Sequence, residues 1–367
     1  MKTKLDHQLV AAVGLLFTLN LQPATLLAQG SLTPPGPPAP TMKTLAQVEP
    51  RVPISSAPFT ITQPGSYYLT TNLTVSGGNA ITIAANGVTL DLNGFTISST
   101  TNPASGTAVL IASGLRNIAI QNGHIQGGVT NNGSGVFSGP GFGYGIFYSG
   151  SAPENVRVSG VSVSGCQNYG IFLAGYNTVV EQCGVRTVGG YGIVATSGTI
   201  RGCVAVNCGI DGIRGGNVAD SRGEAVGGRG IDADTVVNCY GRSSSAEGIL
   251  AQTALNSYGF SSGGAAGLYA FGSALNCRGY SNSGNGIAAS VAQNCYGQSN
   301  SGTGLRAWLT AIGCYGVSSS GLRGLDAANA AFCVGSRPGG TAIEAYIANG
   351  CWAELGTNFI THKYNMP

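Results

Sequence analysis

Charged residues make up only 8% of this 367-residue chain, against about 25% in ordinary globular proteins. The places where they gather are therefore the first to examine for chemistry. Arg214, Arg229, Asp232 and Asp234 form the best such group. Asp232 and Asp234 are two apart, which on a strand puts both carboxylates on one face. Such a pair can act as acid and base on a glycosidic bond or hold a cation. If the same charges stack on neighbouring strands, they simply neutralise one another. His124, in NGHIQG, stands alone and reads as a polar surface residue. GGRGIDADT (227–235) matches a single copy of a calcium-binding nonapeptide, a site that needs tandem copies.

A second set is aromatic. Tyr240, Tyr258, Tyr296 and Tyr315, with Arg278 among them, supply flat rings of the kind that stack on sugar faces. Tyr269, Phe271, Trp308 and Tyr346 form a further set. The stretch 128–150 carries Phe137, Phe142, Tyr144, Phe147 and Tyr148, able to wall a ligand groove or cover an apolar strip. The third set is ten cysteines. They include no CxxC and no convergent His, so no metal centre is expected. The net charge of +3 is scattered, which argues against nucleic acid as a partner.

These residues are positioned by a repeat. Gly followed by Ile or Leu recurs at Gly170, Gly192, Gly212, Gly230, Gly248, Gly267, Gly286, Gly304 and Gly324, in steps of 18–22 residues. Helical repeats need units of ~33 or more residues, and the 60 glycines disfavour helix. Each repeat is therefore one coil of a β-solenoid.

Coils stacked ~4.8 Å apart turn every aligned column into a file. The Ile/Leu column runs from Ile171 to Ile343, with a column of mostly Ala two residues later; together they make the core. Cys183, Cys203, Cys239, Cys277, Cys295, Cys314, Cys333 and Cys351 share one column, with Ser221 and Ser257 in its gaps. In-register Cβ atoms ~4.8 Å apart lie beyond the usual bridge geometry. A reduced stack is thus favoured, although export leaves bridging open. Cys166 and Cys208 fall outside the file. Asn238, Asn256, Asn276 and Asn294 precede it, where stacked amides can bond along the axis. Ser243, Ser261, Ser281, Ser299 and Ser318 form a polar file near a turn. Asp211, Arg229 and Glu247 share a column, as do Arg214 and Asp232, and Arg306 and Asp326. Opposite charges on adjacent coils contribute roughly 0.2–1 kcal/mol per pair. The residue after each Cys points outward by alternation, and that column holds the Tyr/Arg set.

At the N-terminus, MKTKLDHQ and the apolar run Leu9–Leu21 read as a signal peptide, 1–28. The run is shorter than the ~20 residues of a membrane span, and nothing later is apolar enough to cross a bilayer. A proline-rich linker follows over 29–50. PFTITQPGSYYLTTNLTV (58–75) and ITIAANGVTLDLNGFTI (81–97), with the lead-in PPGPPAPTMKTLAQVEPRVPI, then resemble secreted bacterial right-handed parallel β-helix proteins. These belong to the pectate-lyase-like superfamily. The resemblance spans about residues 34–200 and implies the right hand of the helix. It also brings two chemistries: lyases that set acidic calcium ligands beside a basic Arg or Lys, and hydrolases that use Asp pairs. This chain has no Asp-Asp, Asn-Thr-Asp or Gly-His-Gly.

The expected architecture is an all-β, single-stranded right-handed parallel β-helix with coils of about 18–22 residues, over 51–367. It divides into an N-terminal cap (51–79), irregular coils (80–165), regular coils (166–352) and a C-terminal cap (353–367). The expected role is an exported protein of the cell surface, periplasm or extracellular space that binds glycan or serves as surface structure, without catalysis or cofactor. Its binding candidates are Tyr240, Tyr258, Arg278, Tyr296, Tyr315, Phe142 and Tyr144. The alternative is a polysaccharide lyase or glycoside hydrolase acting through Asp232, Asp234, Arg214 and Arg229, with Ca2+ needed only for the lyase.

Overall fold

Alternation of small or aliphatic side chains with polar ones, broken every few residues by a turn, leaves parallel coiling as the way to bury one face of every strand. The computed structural model describes residues 49–366. The signal peptide and nearly all of the linker lie outside the described residues. Arg51–Pro367 forms one compact unit. It is all-β: a 31-stranded sheet with parallel pairings, coiled into about 16 turns, plus one antiparallel two-stranded piece among the described residues. A right-twisted strand returns to a parallel neighbour with a right-handed connection, and the fold is the right-handed parallel β-helix expected from the sequence.

Each regular coil carries a long strand and a four-residue strand. The long ones include Ile231–Val237, Ile249–Leu255, Leu268–Leu275, Ile287–Gln293 and Leu305–Ile312; the short ones include Tyr240–Ser243, Tyr258–Ser261, Arg278–Ser281, Tyr296–Ser299 and Tyr315–Ser318. The predicted register holds. Ile231, Ile249, Leu268, Ile287, Leu305, Leu325 and Ile343 pair in succession, and each is fully buried. Glycines of the short strands face the repeat glycines across a narrow interior, so the core closes on small side chains.

A sharp corner joins the two strands. Gln182, Asp220, Asn238, Asn256, Asn276, Asn294 and Phe332 all have φ near +50°, and Gly202, Gly313 and Gly350 occupy the same column at about +60°. Asn tolerates this left-handed region better than most residues. Its amides also form the expected ladder: Asn256 Nδ2 donates to Asn238 Oδ1 at 3.3 Å, Asn276 to Asn256 at 3.2 Å and Asn294 to Asn276 at 3.3 Å.

The next column is the cysteine file, which holds eight of the ten cysteines; all ten are free and buried. Successive coils are tied through it: the Cys277 N–H donates to Cys295 Sγ at 3.4 Å, and the Cys203 N–H to Ser221 Oγ at 3.1 Å. Hydroxyl and thiol thus serve the same corner. The serine file is equally internal; Ser261 Oγ donates to the Ala246 carbonyl at 2.7 Å and Ser281 Oγ to that of Ala265 at 2.7 Å.

In the segment 51–79, the strands Val52–Ile54, Phe59–Ile61, Gly65–Leu69 and Leu73–Val75 already run parallel to later rungs. At the other end, Trp352–Tyr364 lies parallel on Val334–Asn349 as a further rung.

Candidate functional site

The short strands place two side chains outward and two inward, because successive residues alternate across the sheet. In Tyr258–Ser261, Gly259 and Ser261 are buried, while Tyr258 and Phe260 face out. Stacking then builds two external columns. The first runs Arg222, Tyr240, Tyr258, Arg278, Tyr296, Tyr315. The second runs Glu224, Arg242, Phe260, Tyr280, Gln298, Val317 over the same coils.

Rings and guanidinium groups interlock within these columns. The Arg222 guanidinium lies over the Tyr240 ring at 5.3 Å, and that of Arg278 over Tyr296 at 5.5 Å. Tyr240 and Tyr258 meet edge to face at 5.6 Å, as do Tyr296 and Tyr315 at 5.4 Å. Phe260 and Tyr280 stack at 5.1 Å with 8° between their planes, and Arg242 covers Phe260 at 5.4 Å. Arg222 is ion-paired with Glu224. Arg242 and Arg278 have no carboxylate partner among the described residues. Burial, then the neighbouring Tyr240, holds the Tyr258 phenol above its ordinary range. Tyr315 is pushed up to about 12, first by its hydrogen bond to Glu354 and then by burial.

A groove of about 620 Å³ follows the first column, lined by Arg222, Tyr240, Tyr258 and Arg278 on one side and by Asn238, Asn256 and Asn276 on the other. A second depression of about 480 Å³ continues it past Tyr258, Arg278, Tyr280, Tyr296 and Gln298. Four of the sequence candidates, Tyr240, Tyr258, Arg278 and Tyr296, therefore come together in one strip, with Tyr315 at its far end.

The acidic group lies on the long-strand face. Asp232 Oδ2 is 3.1 Å from Arg229 and 3.5 Å from Arg214, and Arg229 also reaches Glu247 at 3.2 Å. Asp211 is buried and accepts the Arg229 backbone N–H at 2.8 Å; burial raises its carboxyl above the usual range. Arg306, Arg323, Asp326 and Glu344 repeat the arrangement five coils on. The charges thus form the lateral ladder expected from stacking. Asp234 is exposed beside Asp232, in a groove of about 370 Å³ with Gln252 and Phe271. A calcium ion does not fit this group: Asp232 is held by two guanidinium groups, and no group of three or more His, Cys, Asp or Glu among the described residues is arranged for a metal.

The insertion departs from expectation in one respect. Phe142 is fully buried and cannot face a ligand. The chain rejoins the stack there, with the Phe142 carbonyl accepting the Gln167 N–H at 3.0 Å, so its ring fills the core. The preceding residues fold as an antiparallel pair, Thr130–Asn131 with Phe137–Ser138, held by Asn131 to Asn207 at 2.7 Å. Tyr144 sits in a separate cluster on the long-strand face, 4.4 Å from Phe147 and 5.4 Å from Tyr169, and does not join the groove. His124 is exposed. Arg222, Arg242, Phe260 and Tyr280 are absent from the sequence candidates, although the period-two spacing from Tyr240 and Tyr258 points to them.

No family model matches the chain, and no curated protein matches it either. Among solved structures it is similar to the A-module of mannuronan C-5 epimerase AlgE6 from Azotobacter vinelandii, at 14% identity and a TM-score of 0.42, covering 83% of this chain and 91% of that one. It is similar to the Dettilon tailspike protein gp208 at 14% identity and a TM-score of 0.33, covering 82% of this chain but spanning only 61% of the tailspike. The Streptococcus pneumoniae surface protein and adhesin PfbA gives 11% identity and a TM-score of 0.29, covering 86% and 89%. Likeness at this level concerns fold alone.

Proposed function

We propose that the chain is an exported, non-catalytic binder of extended acidic polysaccharide, held along the groove from Arg222 to Tyr315. One observation carries this reading. Six outward side chains on successive coils set two rings after each guanidinium group, in the order Arg, Tyr, Tyr, Arg, Tyr, Tyr, and Arg278 has no carboxylate partner among the described residues. Five coil steps of ~4.8 Å give a strip of ~24 Å, room for several sugars. Rings accept the apolar faces of sugars, while a guanidinium fork receives a carboxylate in two hydrogen bonds. The asparagine ladder on the opposite wall offers further polar atoms to hydroxyl groups. Export through residues 1–28 would place this surface where polysaccharide is met.

The competing reading is a lyase or hydrolase centred on Asp232 and Asp234. Against it, the guanidinium groups of Arg214 and Arg229 already occupy the Asp232 carboxylate, at 3.5 and 3.1 Å. The test is an incubation of the purified protein with acidic and neutral polysaccharides, with and without calcium. Retention without new unsaturated or reducing ends, lost in Tyr258→Ala/Arg278→Ala, is the expected result. Chain cleavage that disappears in Asp232→Ala would overturn it.

A further inference from the structure

The long-strand face carries a second set of exposed aromatic side chains. Ala270, Ala289, Ala307, Ala327 and Ala345 pair in succession. The residue following each is, in order, Phe271, Ser290, Trp308, Ala328 and Tyr346. Large and small side chains thus alternate coil by coil. Phe271 is 54% exposed, Trp308 37% and Tyr346 59%. A soluble protein rarely leaves several aromatics in line in water without use for them.

Two coil steps separate the backbone positions of Phe271 and Trp308, and those of Trp308 and Tyr346, by ~9.6 Å along the axis. That is close to the advance of a two-sugar step in an extended β-1,4-linked chain, in which every second residue presents the same face. The intervening coils carry the small side chains Ser290 and Ala328 at this position. Tyr269 joins the first two platforms into a continuous aromatic surface, with its ring 4.9 Å from Phe271 and 5.4 Å from Trp308. Arg306 backs Trp308 at 6.0 Å.

The charge pattern selects the ligand. Arg306 and Arg323 are each paired with Asp326, and Arg323 with Glu344 as well. The strip therefore offers rings and hydroxyls without an unpaired guanidinium, complementary to an uncharged polymer. We infer that Phe271, Trp308 and Tyr346 form a binding platform for a neutral, extended β-1,4-linked polysaccharide, separate from the Arg-bearing groove on the short strands. This site stands whether or not that groove binds acidic glycan.

Co-sedimentation of the full chain with microcrystalline cellulose and with chitin tests it. The expected result is binding to at least one of the two, with the partition reduced about tenfold or more in Phe271→Ala/Trp308→Ala/Tyr346→Ala. The Tyr258→Ala/Arg278→Ala variant should bind these polymers as the unaltered protein does. All three side chains project into solvent, and circular dichroism with the single variant Trp308→Ala separates misfolding from lost contact. Absence of binding to both polymers overturns the assignment, as does equal binding by the triple variant. A sedimentation coefficient that falls from oligomer to monomer in the triple variant would also overturn it, giving the strip to a second copy of the chain.

Discussion

A Cβ built on Gly259 would lie 2.1 Å from the carbonyl oxygen of Gly267. The two glycines face each other across the interior, and Gly241 with Gly248, Gly279 with Gly286 and Gly297 with Gly304 repeat the contact at 2.1–2.3 Å. Backbone approaches backbone here, so no side chain can move aside. Gly259→Ala must push two sheets apart, and it should cost about 1–3 kcal/mol or more. Denaturant unfolding measures this, with Tyr258→Ala on the adjacent outward position as a control that loses much less.

The corner column yields a graded test. Asn256 has φ of 48° and both donates and accepts in the amide ladder. Asn256→Ala pays the left-handed penalty of about 1–2 kcal/mol and also removes the ladder bonds. Asn256→Gly keeps the backbone relaxed, as Gly202, Gly313 and Gly350 do in the same column, and loses only the ladder. Thermal melts should therefore rank wild type, Gly, Ala in falling order.

Alkaline stability follows from the thiol file. Burial lifts Cys239 from the ordinary 9.0 to about 11. Between these values the folded chain holds a proton that the unfolded chain has released, so stability falls as pH rises through the window. Below about pH 9 this contribution is complete. Cys239→Ser should lessen the fall of the melting temperature between pH 9 and 11, the remaining fall coming from the other buried thiols such as Cys166, and the column already accepts serine at Ser221 and Ser257.

Groove binding of an acidic glycan should weaken as salt rises, since exposed charges are screened. Arg278→Gln should lower affinity at low salt and remove much of that dependence. Arg278→Lys should restore part of the salt dependence but not the full affinity, because an ammonium lacks the planar fork that both stacks on Tyr296 and grips a carboxylate. Calorimetric titrations at two ionic strengths separate the three proteins.

The regular coils are legible in the sequence because stacking in register makes each position its own neighbour. One alignment of the Gly-Ile steps therefore places the Ile231–Ile343 core, the cysteine file, the asparagine ladder and the Asp232 ion pairs at once. The same logic places Tyr240 to Tyr315 outside. It fails at Phe142, since the insertion breaks the period and no column dictates which way its ring turns. It also passes over the Gly241–Gly335 column, because one more glycine carries little contrast in a chain with 60 of them. Arg242, Phe260 and Tyr280 escape for another reason: their column is chemically mixed, so no single residue type marks it.

The left-handed corner has a consequence for how such a chain can lengthen. It turns every coil at the same place, between its long and short strands, with contact side chains confined to columns that the interior never uses. Duplicating one 18-residue stretch would add a single graduation to the outer surface and leave the inner packing as it was. Reach along a polymer then grows in fixed steps, and the step size belongs to the backbone rather than to any side chain.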